Sequence, residues 1–505
     1  MAAYLRNLPF FAVLLLVAAG AMMVPAVYAG VNEDFTSARD FFYPSLLVGT
    51  VAMIVGFTAQ SGLRVDRERV YLISLFFAYL WLPFVLAIPM VESIGNTRFI
   101  NVYFDMVSAL TTTGAPIFDP DRLTPAAHLW RGIVGWLGGL LMWITAAAVL
   151  APLNLGGYEV TSEATTMGRL IPGQGQIRTV SAVERLRKNA GRLIPIYGAL
   201  TATLMGGLVM AGDPPLVAAI HAMSVMATSG ITPSGGLGAA PTGLTGEVLI
   251  FFFMIFALSR HTFADGFGKN ALMRLGKDRE LRLAIVAIVV FPTLLFVRHW
   301  LGALDVDDSD NITAALAALW GSIFTVLSFL TTTGFVSDTW ITARGWSGLD
   351  APGLILMGLA IMGGGVATTA GGLKLLRVYA LYKHGAREIG KLIHPHSVAG
   401  AGRLGRRIRR EGAYIAWIFF MLFILSLAMV MVALALSGLS FETAMILAVA
   451  TLSTTGPLAT VAGEAPIIYA TLGDAAKIIL SGAMIVGRME TLVLIALLGS
   501  GFWRA

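Results

Sequence analysis

Long apolar runs separated by short polar connections dominate the chain. Ten of these runs are close to the length, about 20 residues, at which an apolar helix crosses the hydrocarbon core of a bilayer. The pattern predicts an all-α polytopic membrane protein with about ten transmembrane helices. The predicted spans are about 8–29, 43–60, 70–90, 128–151, 191–211, 245–262, 281–302, 351–373, 412–437 and 475–498.

The first apolar run has a second interpretation. It follows Arg6 and ends near small residues at Ala29, a pattern that a cleaved secretory signal peptide also shows. The run is longer than the usual apolar core of a signal peptide, about 7–15 residues. We therefore expect a retained first helix.

Composition agrees with a membrane protein and excludes several other classes. Soluble domains carry about 25% charged residues, whereas this chain of 505 residues is 13% charged and 57% hydrophobic. These values exclude a disordered chain, a coiled coil and an ordinary cytosolic enzyme. The chain has no cysteine, which excludes disulfide bonds, thiolate zinc sites and a cysteine nucleophile.

The charges are distributed unequally between the connections. Lys and Arg are concentrated in 61–69, 152–192, 263–282 and 374–411, and the alternate connections carry mainly Asp and Glu. The positive-inside rule then places the basic connections and both termini in the cytoplasm. The dense basic run 403–410 also suits anionic lipid or a cytosolic partner.

Four short Thr/Ser-rich sequences ending in glycine recur along the chain. Residues 111–114, 227–230, 331–334 and 453–456, called segments 1 to 4 here, each follow a short apolar stretch in an acidic connection. Their glycines recur at intervals of about 104 to 122 residues, which indicates an internal repeat. Each repeat is predicted to contain a helix, a re-entrant half-helix, an extended loop and a second helix. The predicted units are a two-helix segment, 1–60, and repeats 61–160, 161–265, 266–385 and 386–505.

Extended backbone at membrane depth suits the binding of a monovalent cation. Non-helical backbone is tolerated there only where protein or a water-filled path satisfies it. Rings of backbone carbonyls can replace the hydration shell of a potassium ion, and glycine reaches backbone angles that other residues avoid. No segment carries Asp or Glu. The four segments together therefore predict a pseudo-fourfold, potassium-selective filter. Its predicted residues are Thr111, Thr112, Thr113, Gly114, Thr228, Ser229, Gly230, Thr331, Thr332, Thr333, Gly334, Ser453, Thr454, Thr455 and Gly456.

These repeats resemble the Trk/Ktr/HKT superfamily of potassium transporters, specifically its bacterial Trk-type membrane subunit. The resemblance covers essentially the whole chain, including the two helices before the first repeat. Matching motifs are Gly135-Trp-Leu-Gly-Gly139, His221-Ala-Met-Ser224, Gly230-Ile-Thr-Pro-Ser-Gly-Gly236 and Gly334-Phe-Val-Ser-Asp338. In the superfamily, serine at the first filter glycine accompanies sodium preference, so the resemblance implies potassium preference for Gly114.

The resemblance also implies partners and a location. Such subunits lie in the bacterial inner membrane, form homodimers with one pore per protomer, and work with a separate cytosolic, nucleotide-binding (TrkA-like) ring. Connections 152–192 and 374–411 are the expected docking sites for that ring. Potassium is expected as substrate, with no cofactor on this chain and no nucleic-acid partner.

A glycine-rich sequence interrupts the eighth predicted span. Residues 363–374, called the Gly-rich loop here, read Gly-Gly-Gly-Val-Ala-Thr-Thr-Ala-Gly-Gly-Leu-Lys. Glycine costs a helix about 1 kcal/mol relative to alanine, so a break is expected, although close helix packing through small residues remains possible. In the family this stretch obstructs the pore below the filter and moves on gating. The implied gating residues are Gly363, Gly364, Gly365, Thr368, Thr369, Gly371, Gly372 and Lys374, together with Arg488.

Arg488 lies within the last apolar run, where a charge costs at least about 2.5–3.5 kcal/mol on insertion scales. Its expected partner is Glu490 or the Gly-rich loop, although residues two apart on a helix do not face each other. In the family an arginine of this motif lies in the pore just below the filter. Structural bracing between helices remains the alternative.

No catalytic or nucleotide-binding motif is present, so we expect no enzymatic activity. Two other functions remain open: a proton- or sodium-coupled symporter and a polytopic membrane enzyme. A coupled symporter would need buried acidic or histidine residues as a relay, and the predicted spans contain almost none apart from Glu490.

Overall fold

The computed structural model describes residues 10–58, 68–150, 182–259, 278–302, 312–349, 352–393 and 410–490. Within these ranges the regular secondary structure is helical, with 17 α-helices. The basic run at 403–409, both chain termini, and most of 152–192 and 263–282 lie outside the described residues.

The first half of the chain contributes eight helices. Two apolar helices precede the first repeat and pack against each other as a hairpin. The helices are α1 (Phe10–Val31), α2 (Phe35–Thr58), α3 (Glu68–Ile94), α4 (Phe99–Leu110), α5 (Pro125–Thr145), α6 (Ala182–Ala211), α7 (Pro215–Ala227) and α8 (Gly243–Met254).

The second half contributes nine helices. They are α9 (Arg279–Gly302), α10 (Ile312–Leu330), α11 (Trp340–Ser347), α12 (Gly353–Met362), α13 (Leu375–Ile393), α14 (Arg410–Leu436), α15 (Phe441–Leu452), α16 (Leu458–Val461) and α17 (Asp474–Met489). A helix begins within about three residues of the start of eight of the ten predicted spans, whereas α2 and α6 begin well before the predicted starts at 43 and 191.

Eight of the described helices are long and apolar enough to cross a membrane, judged by length and composition. Seven of them coincide with predicted spans, and α10 is the eighth. The expectation that every stretch before a segment is too short to span is therefore wrong for α10, which has 19 residues. The predicted spans at α8, α12 and α17 are shorter helices, and the end of the last predicted span lies beyond the described residues.

The short helices that precede the segments form the centre of the protein. Every residue of α4 from Val102 to Leu110 is buried, as is every residue of α15 from Ile446 to Leu452. In the most apolar stretch of α5, 72% is buried inside the protein, whereas in that of α14 only 17% is buried. The helix α14 therefore lies at the periphery, where its apolar side chains suit contact with lipid.

The chain closes on itself around this centre. One hydrophobic cluster contains side chains of α1 to α5 together with α15 and α17, and a second joins α6 to α12 with α15. Near the end of the described chain, α17 packs against α4. The four segments are consequently enclosed by helices from both halves of the sequence.

Candidate functional site

The four segments have the same local backbone. Each starts where a short helix (α4, α7, α10 or α15) ends, and the N–H of the residue before each glycine donates to a carbonyl in the last turns of that helix. These bonds are Thr113 to Ser108 at 2.8 Å, Ser229 to Ser224 at 2.9 Å, Thr333 to Ser328 at 2.9 Å and Thr455 to Ala450 at 2.7 Å. The repeated sequence therefore produces a repeated conformation.

A threonine two residues before each glycine adopts a left-handed backbone. The φ angles are 56° at Thr112, 52° at Thr228, 56° at Thr332 and 55° at Thr454. Positive φ is rare for a β-branched residue, and such strain costs about 1–3 kcal/mol and clusters at functional sites. Four equivalent outliers therefore distinguish the segments from ordinary helix ends.

The segments contact one another in a closed ring. A Cβ added to Gly114 would overlap the carbonyl oxygen of Ser229 in segment 2, and one added to Gly230 would overlap that of Thr333 in segment 3. A Cβ on Gly334 would lie 2.9 Å from Cγ of Pro457, directly after segment 4. Segment 1 thus contacts segment 2, segment 2 contacts segment 3, and Pro457 lies equally close, at 2.9 Å, to the Cβ positions of Gly334 and Gly230.

Segment 4 completes the ring by contacting segment 1. A Cβ on Gly456 would lie 2.7 Å from the carbonyl oxygen of Thr113. The absence of a Cβ at the glycines therefore permits neighbouring segments to approach closely. This need for glycine cannot be recognised from the sequence of one segment alone.

The fourth glycine differs from the other three in its backbone. Gly114, Gly230 and Gly334 have φ angles of 66°, 64° and 80°, whereas Gly456 does not have a positive φ. The expectation that all four glycines are needed for left-handed angles is therefore wrong for Gly456. The physical reason is Pro457, which directly follows Gly456, has helical angles (φ −60°, ψ −13°) and is the N-cap of α16.

The Gly-rich loop interrupts the helix as predicted. Helix α12 ends at Met362 and α13 begins at Leu375. Gly363 and Gly372 both have positive φ, and a Cβ on Gly372 would lie 2.7 Å from Cα of Gly363. The two ends of the loop are thus packed backbone to backbone, so the break and the close packing of small residues occur together.

The Gly-rich loop contacts the segments at their helix-proximal ends. The N–H of Gly371 donates to the hydroxyl of Thr332, at 2.7 Å, and a Cβ on Gly371 would overlap the carbonyl oxygen of Ser453 and the hydroxyl of Thr454. The hydroxyl of Thr369 donates to the last-turn carbonyl of Met226 in α7, at 3.1 Å. The loop therefore lies against segments 3 and 4 and against the end of α7, the helix that leads into segment 2.

Arg488 binds the Gly-rich loop rather than Glu490. Its Nη1 donates to the carbonyl oxygen of Thr369 at 2.7 Å, and the side chain is buried. Its Nε and Nη2 have no hydrogen-bond partner among the described residues. Of the two partners that the sequence left open, the structure selects the loop.

Glu490 has a different partner. Helix α17 ends at Met489, and Glu490 turns away with a φ of 61°. Its carboxylate accepts a hydrogen bond from Nη2 of Arg377 at 2.7 Å, and the guanidinium of Arg377 lies 3.7 Å from the ring centre of Phe419. This buried ion pair joins the start of α13 to the end of α17.

Two further charged groups fix the Gly-rich loop. Lys374, which is buried with a φ of 77°, donates through Nζ to the carbonyl oxygen of Ala370. The N–H of Val366 donates to the carboxylate of Glu280, at 3.0 Å. The loop is therefore held by charged side chains of α9 and α17 as well as by its own lysine.

Comparison with known proteins now identifies the family. Over 97% of both chains, the sequence is 30% identical to the Trk system potassium uptake protein TrkH of Salmonella typhimurium. The chain belongs to the TrkH family. It is also 27% identical to the Trk system potassium uptake protein TrkG of Escherichia coli, over 89% of this chain and 88% of TrkG. These relatives are transport proteins. Together with its many apolar helices, this likeness makes the chain a multi-pass membrane protein.

Two further matches agree with TrkH family membership. The family model TrkH, described as a cation transport protein, matches residues 280–499. The crystal structure of the potassium transporter TrkH from Vibrio parahaemolyticus superposes with a TM-score of 0.81 over 99% of both chains, at 23% identity. The superposition shows that the fold is shared with that TrkH.

Sequence reasoning missed several buried acids in this TrkH-family chain. Asp105, Glu247 and Glu280 are 1%, 4% and 2% exposed, and of these three acids only Glu247 lies within a predicted span. Asp105 forms an ion pair with Arg131 at 3.0 Å. A sequence signal was present for Asp105 and Glu247, which are isolated acids within apolar stretches, but not for Glu280, which stands in a charged run.

Glu247 joins α8 to the residues after segment 3. Its carboxylate accepts hydrogen bonds from Nε1 of Trp320 at 2.8 Å, the hydroxyl of Ser337 at 2.8 Å and the N–H of Asp338 at 2.7 Å. A buried carboxylate with three donors is well satisfied. Glu247 therefore braces segment 3 from a helix that follows segment 2 in the chain.

Proposed function

We propose that this chain takes up potassium through a pore of its own, in which segments 1 to 4 form the selectivity filter. The observation that carries the proposal is the closed ring of contacts between the four segments. Relatives across nearly the whole length are named potassium uptake proteins, which agrees with potassium as the cargo.

The carbonyls of the left-handed threonines are the favoured potassium ligands. Thr112, Thr228, Thr332 and Thr454 share one φ within a few degrees, so the backbone presents the same groups four times. Rings of carbonyls replace the ion's hydration shell. Each short helix also ends at a segment, and the partial negative charge of a helix C-terminus favours a cation there.

We assign gating to the Gly-rich loop and Arg488. The loop touches segments 3 and 4 and the end of α7. Arg488 donates to the carbonyl of Thr369 through one nitrogen, and its other two nitrogens have no hydrogen-bond partner of normal geometry in the described chain. A buried positive charge beside the path repels a potassium ion. Displacement of the loop with Arg488 would lower this barrier and open the path.

The surroundings of the pore follow from charge and family likeness. We propose the bacterial inner membrane as the location, cytoplasmic termini, a homodimer, and a cytosolic TrkA-like ring docked on the basic connections. The division into 1–60 and four repeats bounded at 160, 265 and 385 belongs to the same proposal. The described part of the basic connections includes α13, on which Lys383 and Arg387 lie.

Channel-like permeation is favoured over coupled symport. A proton relay needs acidic groups that can exchange protons along the path. Asp105, Glu247 and Glu490 are engaged by Arg131, by three donors and by Arg377, respectively. We therefore expect uptake to follow the electrochemical gradient of potassium, unaffected by an imposed pH gradient at constant voltage.

The test is cation flux into proteoliposomes of the purified chain under opposed potassium and sodium gradients. We expect potassium-selective flux. Arg488→Ala is assayed beside the wild type, so that a gate closed at rest does not hide the pore. Equal sodium and potassium flux in both proteins, or none in either while both are folded, would contradict the proposal.

A further inference from the structure

The ring of segments has one junction that differs from the other three. Segments 1 and 2, 2 and 3, and 3 and 4 follow each other along the chain, but segments 4 and 1 are far apart in sequence. At this junction the N–H of Gly456 donates to the carbonyl oxygen of Thr113, at 2.6 Å. Within the described residues this is the one main-chain hydrogen bond that joins two segments.

The carbonyl of Gly456 is also engaged, from the outside of the ring. It accepts a hydrogen bond from the hydroxyl of Tyr469 at 2.9 Å and another from the N–H of Ala459 at 3.2 Å. The carbonyl of Thr455 accepts from the N–H of Leu458, at 3.1 Å. Both outer carbonyls of segment 4 are thus bound by protein donors.

The left-handed threonines are different. In the described part of the chain, no protein donor binds the carbonyl oxygens of Thr112, Thr228, Thr332 or Thr454. The carbonyls of Gly114, Gly230 and Gly334 are likewise not bound by any described donor. The four threonine carbonyls are therefore equivalent and free of protein donors, whereas among the four glycine carbonyls that of Gly456 is bound.

Tyr469 is held firmly in place. It is fully buried in the short turn Tyr469–Thr471, and its ring centre lies 5.6 Å from that of Phe104 in α4. Nζ of the buried Lys477 donates to the carbonyl oxygen of Ala470 at 3.2 Å and to Oδ1 of Asn101 at 2.9 Å. Lys477 therefore fastens the turn that carries Tyr469 to the first repeat.

We propose that Tyr469 is a positioning residue of the filter: its hydroxyl holds the Gly456 carbonyl out of the ion path and closes the junction between segments 4 and 1. The outermost ring then offers three free glycine carbonyls, and the complete fourfold ring is that of the left-handed threonines. This inference rests on the proposed filter function and adds a specificity-determining group that does not touch the ion.

The test compares Tyr469→Phe with Tyr103→Phe in the proteoliposome assay. Tyr103 is a matched control, since its hydroxyl also donates to a backbone carbonyl, that of Leu80 at 3.2 Å, but away from the segments. Loss of the Tyr469 hydroxyl leaves the Gly456 carbonyl bound by the N–H of Ala459 alone and loosens the ring. A hydrogen bond of ordinary strength corresponds to an increase of about threefold or more in the sodium-to-potassium flux ratio. Tyr103→Phe should leave that ratio unchanged.

A purely structural role would lower the unfolding temperature in both variants without changing the flux ratio. Lys477→Met is the second variant, because it releases the same turn without altering Tyr469, and we expect a smaller shift in the same direction. An unchanged ratio in folded Tyr469→Phe, or in Lys477→Met if the first does not fold, overturns the inference. If the wild type itself does not discriminate, the proposed function fails instead.

Discussion

Replacement of Gly114 by serine tests the filter assignment most directly, because it alters both the backbone and the spacing of the ring. Gly114 has a φ of 66°, a left-handed conformation that costs an L-residue about 1–2 kcal/mol. The new Cβ would also overlap the carbonyl oxygen of Ser229. That oxygen belongs to the backbone of segment 2, so it cannot move aside by a side-chain rotation.

The size of the effect follows from this overlap. A C–H group normally approaches a carbonyl oxygen no closer than about 3.3–3.6 Å between carbon and oxygen. To reach that distance, segments 1 and 2 must separate by on the order of 1 Å. A wider ring holds potassium less closely and loses its discrimination. We expect the sodium-to-potassium flux ratio to increase about tenfold, which corresponds to about 1.4 kcal/mol.

The matched control for Gly114→Ser is Gly95→Ser. Gly95 has nearly the same φ, 70°, but nothing lies within 4 Å of the position that its Cβ would take. It therefore carries the backbone strain without the collision. Both variants are assayed in proteoliposomes under opposed gradients, with thermal unfolding measured in parallel. A folded Gly114→Ser protein with the wild-type flux ratio would refute the ring as the selectivity filter.

Three further substitutions test the gate and the scaffold. Arg488→Ala should raise potassium flux several-fold while Arg488→Lys, which keeps the charge, should not; loss of folded protein would instead indicate bracing between helices. Gly371→Ala places a methyl group against segment 4 and should displace the Gly-rich loop and raise flux, so unchanged flux would contradict the close packing. Asp105→Asn leaves Arg131 buried and unpaired and should destabilise the protein by about 3–5 kcal/mol, measured by chemical unfolding. Asp105→Leu combined with Arg131→Met should recover most of that loss, and no recovery would show that the pair has another role.

The segments could be found from sequence because the same local text occurs four times. The conformation of Thr112 and its three equivalents depends on bonds to the last turns of the preceding helix, so it follows from local sequence. The helix break at Gly363 was predictable for a similar reason, since several glycines in one span disfavour a helix. These features lie within a few residues of the signal that predicts them.

Contacts between distant parts of the chain could not be predicted in this way. The pairing of Arg377 with Glu490 joins two helices more than 100 residues apart, and no periodic pattern connects them. The sequence shows that a different residue follows each of the four glycines, with Pro457 after the last one. It does not show that α16 begins directly after Pro457, nor that Gly456 then lacks the positive φ of the other three glycines. Side chains such as Glu247, which connect different parts of the chain, occur once each, so a comparison of the four repeated sequences does not reveal them.

The bond between Gly371 and the hydroxyl of Thr332 couples the two halves of the proposed mechanism. A loop that withdraws must break this bond, and Thr332 also belongs to the proposed ion-binding ring. Binding free energies are reciprocal: if loop displacement changes the affinity of the ring for potassium by some factor, then potassium in the ring shifts the equilibrium of the loop by that same factor. External potassium would thus act as an effector of its own gate, and the steepness of uptake against potassium concentration would report the strength of that coupling.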